Sequence, residues 1–189
     1  MSVSGKCRAL FLDRDGVINE ETNYLYRREE VRWVDGITSL CRTAQRFGYK
    51  LVVVTNQAGI GRGYYTEQNF HDLMDWMRME LGQQGVTLDA VYFCPYHPQG
   101  IPPYDRDHED RKPNPGMLLR AAQDHGLDLT RSILVGDRCT DIGAANAAAL
   151  EQAFLLRGTE PSPCVEDAIA VDSLAEVEAW LLAHAGLNR

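Results

Sequence analysis

No apolar run in this chain approaches the ~20 residues that a membrane span requires, so no membrane partner is expected. Positive charge is also in short supply: 19 Lys and Arg face 27 Asp and Glu, a formal net charge of −8. That balance gives no chain-wide attraction to nucleic acid or to anionic lipid, although it is compatible with a local basic pocket. The N-terminal "MSVSGKCRALFLDRDG" has neither a long apolar core nor a small-residue cleavage site, so no signal peptide is expected. Repeats and low-complexity segments are absent. The five cysteines, Cys7, Cys41, Cys94, Cys139 and Cys164, are odd in number and scattered. Reduced thiols in a cytoplasmic protein are the simplest reading.

What is present is an alternation of short apolar runs and amphipathic stretches, over a length that fits one domain, residues 1–189. "RALFL" reads as a first strand. "LVVVT" is a β-branched run suited to a strand buried on both faces. "LDAVYF", "SILVGD", "QAFLL" and "AIAVD" follow. Between the first two strands, Ile37, Leu40, Cys41, Ala44 and Phe47 recur at helical spacing, with Gly48 as the stop. Thr66 can cap a helix whose apolar face is Phe70, Leu73, Met74, Met77 and Leu81. Asn114 reads as a cap with Pro115 at the first helical position and Gly126 at the end. A further helix is predicted from about Asp141, and Ser173 with Glu176 forms a capping box for the last. This order implies a Rossmann-like α/β fold: an open, mostly parallel sheet with helices on both faces. The gap between strands one and two holds a single helix, so no large cap domain is expected.

In such sheets ligands bind beyond the carboxyl ends of the strands. Strand one ends in "DRDG". Asp13 and Asp15, two positions apart on an extended chain, point the same way, and each disfavours ionisation of the other. Strand two delivers Thr55, Asn56 and Gln57. The third leads into a proline-rich loop that ends in Arg111 and Lys112. The fourth delivers Asp137 and Arg138, with Asp141 four residues on. Singly, each is ordinary: an Asp after a strand is usually a cap, and a lone lysine is usually solvated. Together they place carboxylates, one lysine and one threonine at four strand ends. Hard oxygen ligands at one site call for Mg²⁺, which takes one or two carboxylates and leaves room for a substrate phosphate. "AGIGRG" mimics a dinucleotide fingerprint, but its glycines are spaced GxGxG, so a flexible phosphate- or substrate-facing loop carrying Arg62 is the better reading.

"DRDGVIN", "VTNQ", "RKPNPGM" and "VGDRCTD", in that order, resemble the four motifs of haloacid dehalogenase (HAD) superfamily phosphatases. "FLDRDGVIN", "LVVVTNQAGIGRG", "YFCPYHPQG" and "DRKPNPGMLL" resemble the D-glycero-D-manno-heptose 1,7-bisphosphate 7-phosphatases and, in large part, the histidinol-phosphate phosphatases. The resemblance implies a Mg²⁺-dependent phosphatase acting on a small-molecule sugar phosphate, in nucleotide-activated heptose biosynthesis. It implies Asp13 as nucleophile and Asp15 as acid and then base, with Thr55 and Lys112 stabilising the phosphoryl oxygens. Asp13, Asp15 through its backbone carbonyl, and Asp137 are the implied metal ligands. Substrate contacts fall on Glu21, Thr22, Asn23, Tyr24, Asn56, Gln57, Arg62, Arg111 and Arg138. The family has a lysine where Arg138 stands, which keeps the charge and changes the geometry.

Many family members hold a structural Zn²⁺ in the loop before "RKP", through C-x-H followed by C-x-C. The corresponding residues here are Cys94, Tyr96, His108 and Asp110, so most of the ligand set is replaced. A mixed set of Cys94, His97, His108 and Asp110 would need a rearranged loop, and a structural zinc is not expected. Rival readings are a histidinol-phosphate phosphatase, and a phospho-accepting regulatory domain without turnover. The latter has no need of an acid two residues beyond its acceptor. A nucleic-acid 3′-phosphatase is disfavoured by the acidic charge.

Overall fold

A computed structural model describes residues 7–157, 164 and 168–184. The strands are β1 (Arg8–Leu12), β2 (Tyr49–Asn56), β3 (Ala90–Cys94), β4 (Ile133–Gly136), β5 (Gln152–Leu156) and β6 (Ile169–Val171). They form one sheet in the order β3-β2-β1-β4-β5-β6, and every pairing is parallel. The helices are α1 (Ile37–Arg46), α2 (Ala58–Gly61), α3 (Glu67–Gln83), α4 (Gly116–His125), α5 (Cys139–Ala147) and α6 (Leu174–His184). Among the described residues no helix is long and apolar enough to cross a membrane.

Alternation along the strands divides the core in two. Leu10, Leu12, Leu51, Val53, Val135 and Phe154 pack with Leu40 of α1, with Phe70 and Met77 of α3, and with Leu181 of α6. Phe11, Val52, Val54, Leu134 and Leu155 face the other way, against Met117 and Leu118 of α4 and Ile142 of α5. A sheet covered on both faces needs unbroken apolar strands, which explains why "LFL", "LVVV" and "ILV" do not alternate with polar residues. Residues 13–48 between β1 and β2 hold only a 3₁₀ turn (Arg28–Glu30) and α1. The site is therefore left to loops rather than roofed by an inserted domain.

Several predicted boundaries shift. Pro115, not Asn114, occupies the cap position of α4, and the Asn114 side-chain amide instead donates to the His108 carbonyl. Helix α5 begins at Cys139, two residues before the expected start, because Asp141 turns back to accept from the Arg138 N–H. The Glu176 carboxylate accepts from the Ser173 hydroxyl and, one residue further back, from the Asp172 N–H. The "AGIGRG" segment is no flexible loop: Ala58–Gly61 is a helical turn with Gly59, Ile60 and Gly61 buried. A Cβ at Gly61 would strike the Pro95 carbonyl, so glycine lets this turn lie directly on the segment after β3.

Ser132, fully buried just before β4, ties the start of the central strand in place. Its hydroxyl accepts from the Ala9 N–H at 2.9 Å and donates to the Asp128 carbonyl at 2.6 Å. Ser132→Ala would strand the buried Ala9 donor. The expected loss is about 1–3 kcal/mol, measured as a lower urea midpoint with an unchanged m value.

Candidate active site

β1 lies at the centre of the sheet, so its carboxyl end is flanked by those of β2 and β4. Asp13 continues the strand, its N–H donating to the Val135 carbonyl at 3.0 Å. Lys112 comes in from the loop before α4 and is almost fully buried. Its ammonium meets Asp13 Oδ1 at 3.1 Å, Asp141 Oδ1 at 2.5 Å and the Val54 carbonyl at 2.8 Å. Its backbone is clamped as well: the Asn56 side chain accepts from the Lys112 N–H and donates to the Lys112 carbonyl, each at 3.0 Å. Burial alone would depress this ammonium, but Asp13 and Asp141 outweigh it and lift its pKa above the ordinary value.

Carboxylates outnumber this cation. Asp13, Asp137 and Asp141 each bring an oxygen within 4.8 Å of the others. Burial and the neighbouring Asp141 carboxylate push Asp137 up to about 6. Asp13 is also raised, by burial first and by the other aspartates, against the pull of Lys112. The buried Asp137 Oδ1 has no hydrogen-bond partner among the described residues. An oxygen-lined, electron-rich cluster with an orphaned carboxylate oxygen fits a hard divalent cation. Gly16, at φ +85°, keeps the space open, since a Cβ there would collide with the Asp137 carboxylate.

Asp15 is placed differently. Its carboxylate turns away from that cluster and accepts from Arg14 Nε (3.0 Å) and Nη2 (2.8 Å), Asn19 Nδ2 (3.0 Å) and Gln57 Nε2 (3.0 Å). Burial would raise its pKa, but the Arg14 charge and these hydrogen bonds outweigh burial and hold it below the usual carboxylate range. Arg14 is itself fully buried and anchored on the Leu25 carbonyl. Gln57 is fixed in turn by the Tyr65 hydroxyl, which donates to its Oε1.

These groups open onto a cavity of about 350 Å³. Asp13, Asp15, Thr55, Asn56, Gln57 and Lys112 line its floor, while Glu21, Asn23, Tyr24, Arg62, Arg111 and Arg138 line its walls. Thr22 does not reach it, because the exposed turn is set by the Glu21 side chain, which accepts from the Asn23 N–H and pairs with Arg138 at 2.8 Å. Asn56 lines the cavity with both amide ends already committed to Lys112. Of the expected metal ligands, Asp13 and Asp137 bring their side chains together, with Asp141 beside them; Asp15 is expected through its backbone carbonyl, and its carboxylate lies outside this group. Arg14, Asn19, Tyr65, His97 and Cys139 were not assigned to this cavity from the sequence. Arg14, Asn19 and Cys139 stand inside the strand-end motifs, and His97 entered only as a candidate zinc ligand.

The uniform reading of reduced thiols also needs correction. Cys139, on the cavity wall, is disulfide-bonded to Cys164, with Cα atoms 5.5 Å apart. Sequence spacing cannot reveal such a pair, because the bond depends on how the chain brings the two Cα atoms within reach.

A family model described as HAD-hydrolase-like matches residues 110–177. A D-glycero-alpha-D-manno-heptose-1,7-bisphosphate 7-phosphatase of Burkholderia mallei is 48% identical over 167 residues, 88% of each chain. A D-glycero-beta-D-manno-heptose-1,7-bisphosphate 7-phosphatase of Yersinia pestis is 40% identical, covering 89% of this chain and 92% of that one. The chain belongs to the heptose-1,7-bisphosphate 7-phosphatase family of HAD-like hydrolases. The fold of the family agrees. The crystal structure of D,D-heptose 1,7-bisphosphate phosphatase from B. bronchiseptica, complexed with magnesium and phosphate, superposes with a TM-score of 0.78 at 28% identity. It covers 93% of this chain and 98% of that one. A HAD-like phosphatase structure from Mesorhizobium loti reaches 0.86 at 39% identity, covering 97% and 88%.

A phosphatase of this family whose cluster lacks its cation should show it in its stability. Asp13 and Asp137 hold protons more tightly in the folded chain than in the unfolded one. The metal-free fold therefore loses stability as pH rises from the ordinary carboxyl value of 3.8 through about 6 for Asp137 and about 8 for Asp13. Mg²⁺ relieves the repulsion only when these groups are ionised. The Tm gain on adding Mg²⁺ should be larger at about pH 8 than at about pH 5, by about 3 °C, the shift that ~1 kcal/mol gives a chain of this length. Calorimetry at both values checks it.

Proposed function

We propose that this chain hydrolyses the 7-phosphate of D-glycero-D-manno-heptose 1,7-bisphosphate through an aspartyl-phosphate on Asp13. The observation that carries the reading is the contrast between two carboxylates two residues apart. Asp13 lies against Lys112 within the acidic cluster. Asp15 stands apart from that cluster, cradled by Arg14, Asn19 and Gln57. One carboxylate is placed to attack and the other to handle protons, a division of labour set by environment.

In the first step an Asp13 oxygen attacks phosphorus and the bond to the sugar oxygen breaks. The leaving oxygen takes a proton from Asp15. The incoming phosphate dianion is the like charge that raises the Asp15 pKa enough for it to hold that proton. In the second step Asp15, now a carboxylate, removes a proton from water as the water attacks the aspartyl-phosphate, and Asp13 is regenerated with inorganic phosphate. Lys112 and the Thr55 hydroxyl hold the phosphoryl oxygens, preorganised by the Val54 carbonyl, Asp141 and the Gln57 amide, which donates to Thr55 at 2.8 Å. Asp13, Asp137 and the Asp15 backbone carbonyl would hold Mg²⁺, which would supply Lewis-acid stabilisation of the charge on the transferring group. Asp141 stays paired with Lys112. We read the whole chain as one domain acting on a small-molecule substrate, without nucleic acid or membrane. The reaction belongs in the cytoplasm, since a doubly phosphorylated sugar does not cross a bilayer unaided.

The loop that holds zinc in many relatives is, on this reading, ordered without it. The Tyr96 ring stacks on the His108 imidazole at 4.2 Å, and Arg106 covers the tyrosine. Asp110 pairs with Arg120 at 2.5 Å, so its carboxylate is already engaged. Metal analysis of protein purified without added zinc or a histidine tag should find well under one equivalent of zinc per chain.

Asp13→Asn should abolish phosphate release while the far-ultraviolet spectrum and urea midpoint stay near wild type, since Lys112 keeps Asp141 as partner. The amide is close in shape but is not a nucleophile. Release at near wild-type rate by the purified variant would rule out the covalent mechanism.

A further inference from the structure

A single side-chain amide, that of Gln57, serves two separate parts of the reaction. An amide nitrogen carries two hydrogens. Gln57 Nε2 gives one to Asp15 Oδ2 at 3.0 Å and the other to Thr55 Oγ1 at 2.8 Å. Asp15 Oδ1 is meanwhile filled by Arg14 Nε, Arg14 Nη2 and Asn19 Nδ2. Oδ2 receives Gln57 and a share of the same Arg14 Nη2, so it is the oxygen with room for a proton. Thr55 accepts from Gln57, which leaves its own hydrogen for an acceptor in the cavity it lines. In this orientation the amide steadies the proton-carrying oxygen and aims the hydroxyl at once.

The far end of the amide belongs to Tyr65, whose hydroxyl donates to Gln57 Oε1. Without that donor Oε1 would be a buried acceptor beside two groups able to supply a hydrogen, the Thr55 hydroxyl and Asp15 once protonated. An unpartnered buried acceptor is costly, so the amide would turn toward one of them. Either turn takes from the reaction the hydrogen it needs. The Tyr65 ring is seated to prevent this. It is buried, lies nearly parallel to the Tyr26 ring at 5.3 Å, and rests its edge on Gly59, where a Cβ would strike it. The first glycine of "GIGRG" thus makes room for a tyrosine. Burial also raises the Tyr65 pKa, against the Arg14 charge, so the hydroxyl keeps its hydrogen. The Gln57 backbone is pinned too, its N–H donating to the Cys94 carbonyl at 2.8 Å.

We propose that Tyr65 is a positioning residue for the phosphatase reaction: its hydroxyl holds the Gln57 amide in the one orientation that serves the proton-carrying Asp15 and the phosphate-facing Thr55 together. The proposal deepens the phosphatase reading and rests on the roles given there to Asp15 and Thr55. Tyr65 acts only through Gln57. Its loss therefore slows the chemistry more than it weakens substrate binding, and it has nothing left to act on once the Gln57 amide is gone.

The test is a double-mutant cycle of Tyr65→Phe, Gln57→Ala and the pair, with kcat and KM measured on heptose 1,7-bisphosphate and on p-nitrophenyl phosphate. Tyr65→Phe keeps the ring in its seat; kcat should fall about tenfold while KM moves less than about threefold. Gln57→Ala should cost at least as much, and the double variant no more than Gln57→Ala alone. Losses that simply add in the double variant, or a kcat unmoved by Tyr65→Phe, overturn the proposal and leave the 7-phosphatase reading standing. If wild type releases phosphate from the aryl ester and not from the heptose bisphosphate, the substrate reading falls, and a non-additive cycle on the aryl ester still supports the role of Tyr65. An arm without substrate follows the Gln57 side-chain amide hydrogens of the Mg²⁺-loaded protein by nuclear magnetic resonance. In Tyr65→Phe they should exchange with solvent at least about tenfold faster than in wild type, while the backbone amides of β2 keep their protection. Side-chain amide hydrogens equally protected in both proteins overturn the proposal.

Discussion

The buried Lys112 ammonium is the interaction on which the rest of the site depends. It joins Asp13 after β1, the Val54 carbonyl of β2, and Asp141 in α5. Three segments far apart in sequence are thus held at one point by a single side chain. A lone buried ammonium would be costly, and two carboxylates within reach offset that cost. The remaining carboxylate charge, centred on Asp137, is what gives the site its appetite for a divalent cation, and cation and lysine together suit a phosphate.

A second buried cation does the opposite job. Arg14 sits between the two aspartates in sequence but serves only one side chain: its guanidinium grips Asp15, while its backbone N–H donates to Asp13. The two carboxylates are thereby driven apart in proton affinity, Asp13 upward and Asp15 downward. Repulsion between close like charges is relieved by giving each its own cation, and the same arrangement sets the two carboxylates in different electrostatic environments.

The cavity walls follow from the absence of an inserted domain. With only a 3₁₀ turn and α1 between β1 and β2, the cavity walls are built largely by segments 21–24, 58–62 and 94–112. These are rigidified locally, by Gly61 lying on Pro95, by the Glu21–Arg138 pair, and by Tyr96 stacked on His108. A site open to water is then selective through placed donors more than through enclosure.

The sequence by itself determined the architecture and the floor of the site. Apolar runs such as "LVVV" and the helical spacing of Phe70, Leu73 and Met77 are local patterns. Asp13, Asp15, Thr55, Lys112 and Asp137 stand at predictable strand ends, where a parallel sheet gathers its ligand groups. Only the tertiary structure decided which neighbours those groups received. It turned Asp15 away from the acidic cluster, gave Asp141 to Lys112, spent Asn56 on the backbone of residue 112, left Thr22 outside, paired Cys139 with Cys164, and set Arg62 against His97. The physical reason is the same each time. A side chain's partner depends on distance through space, and residues dozens of positions apart meet only once the strands have taken their order and the loops have been packed.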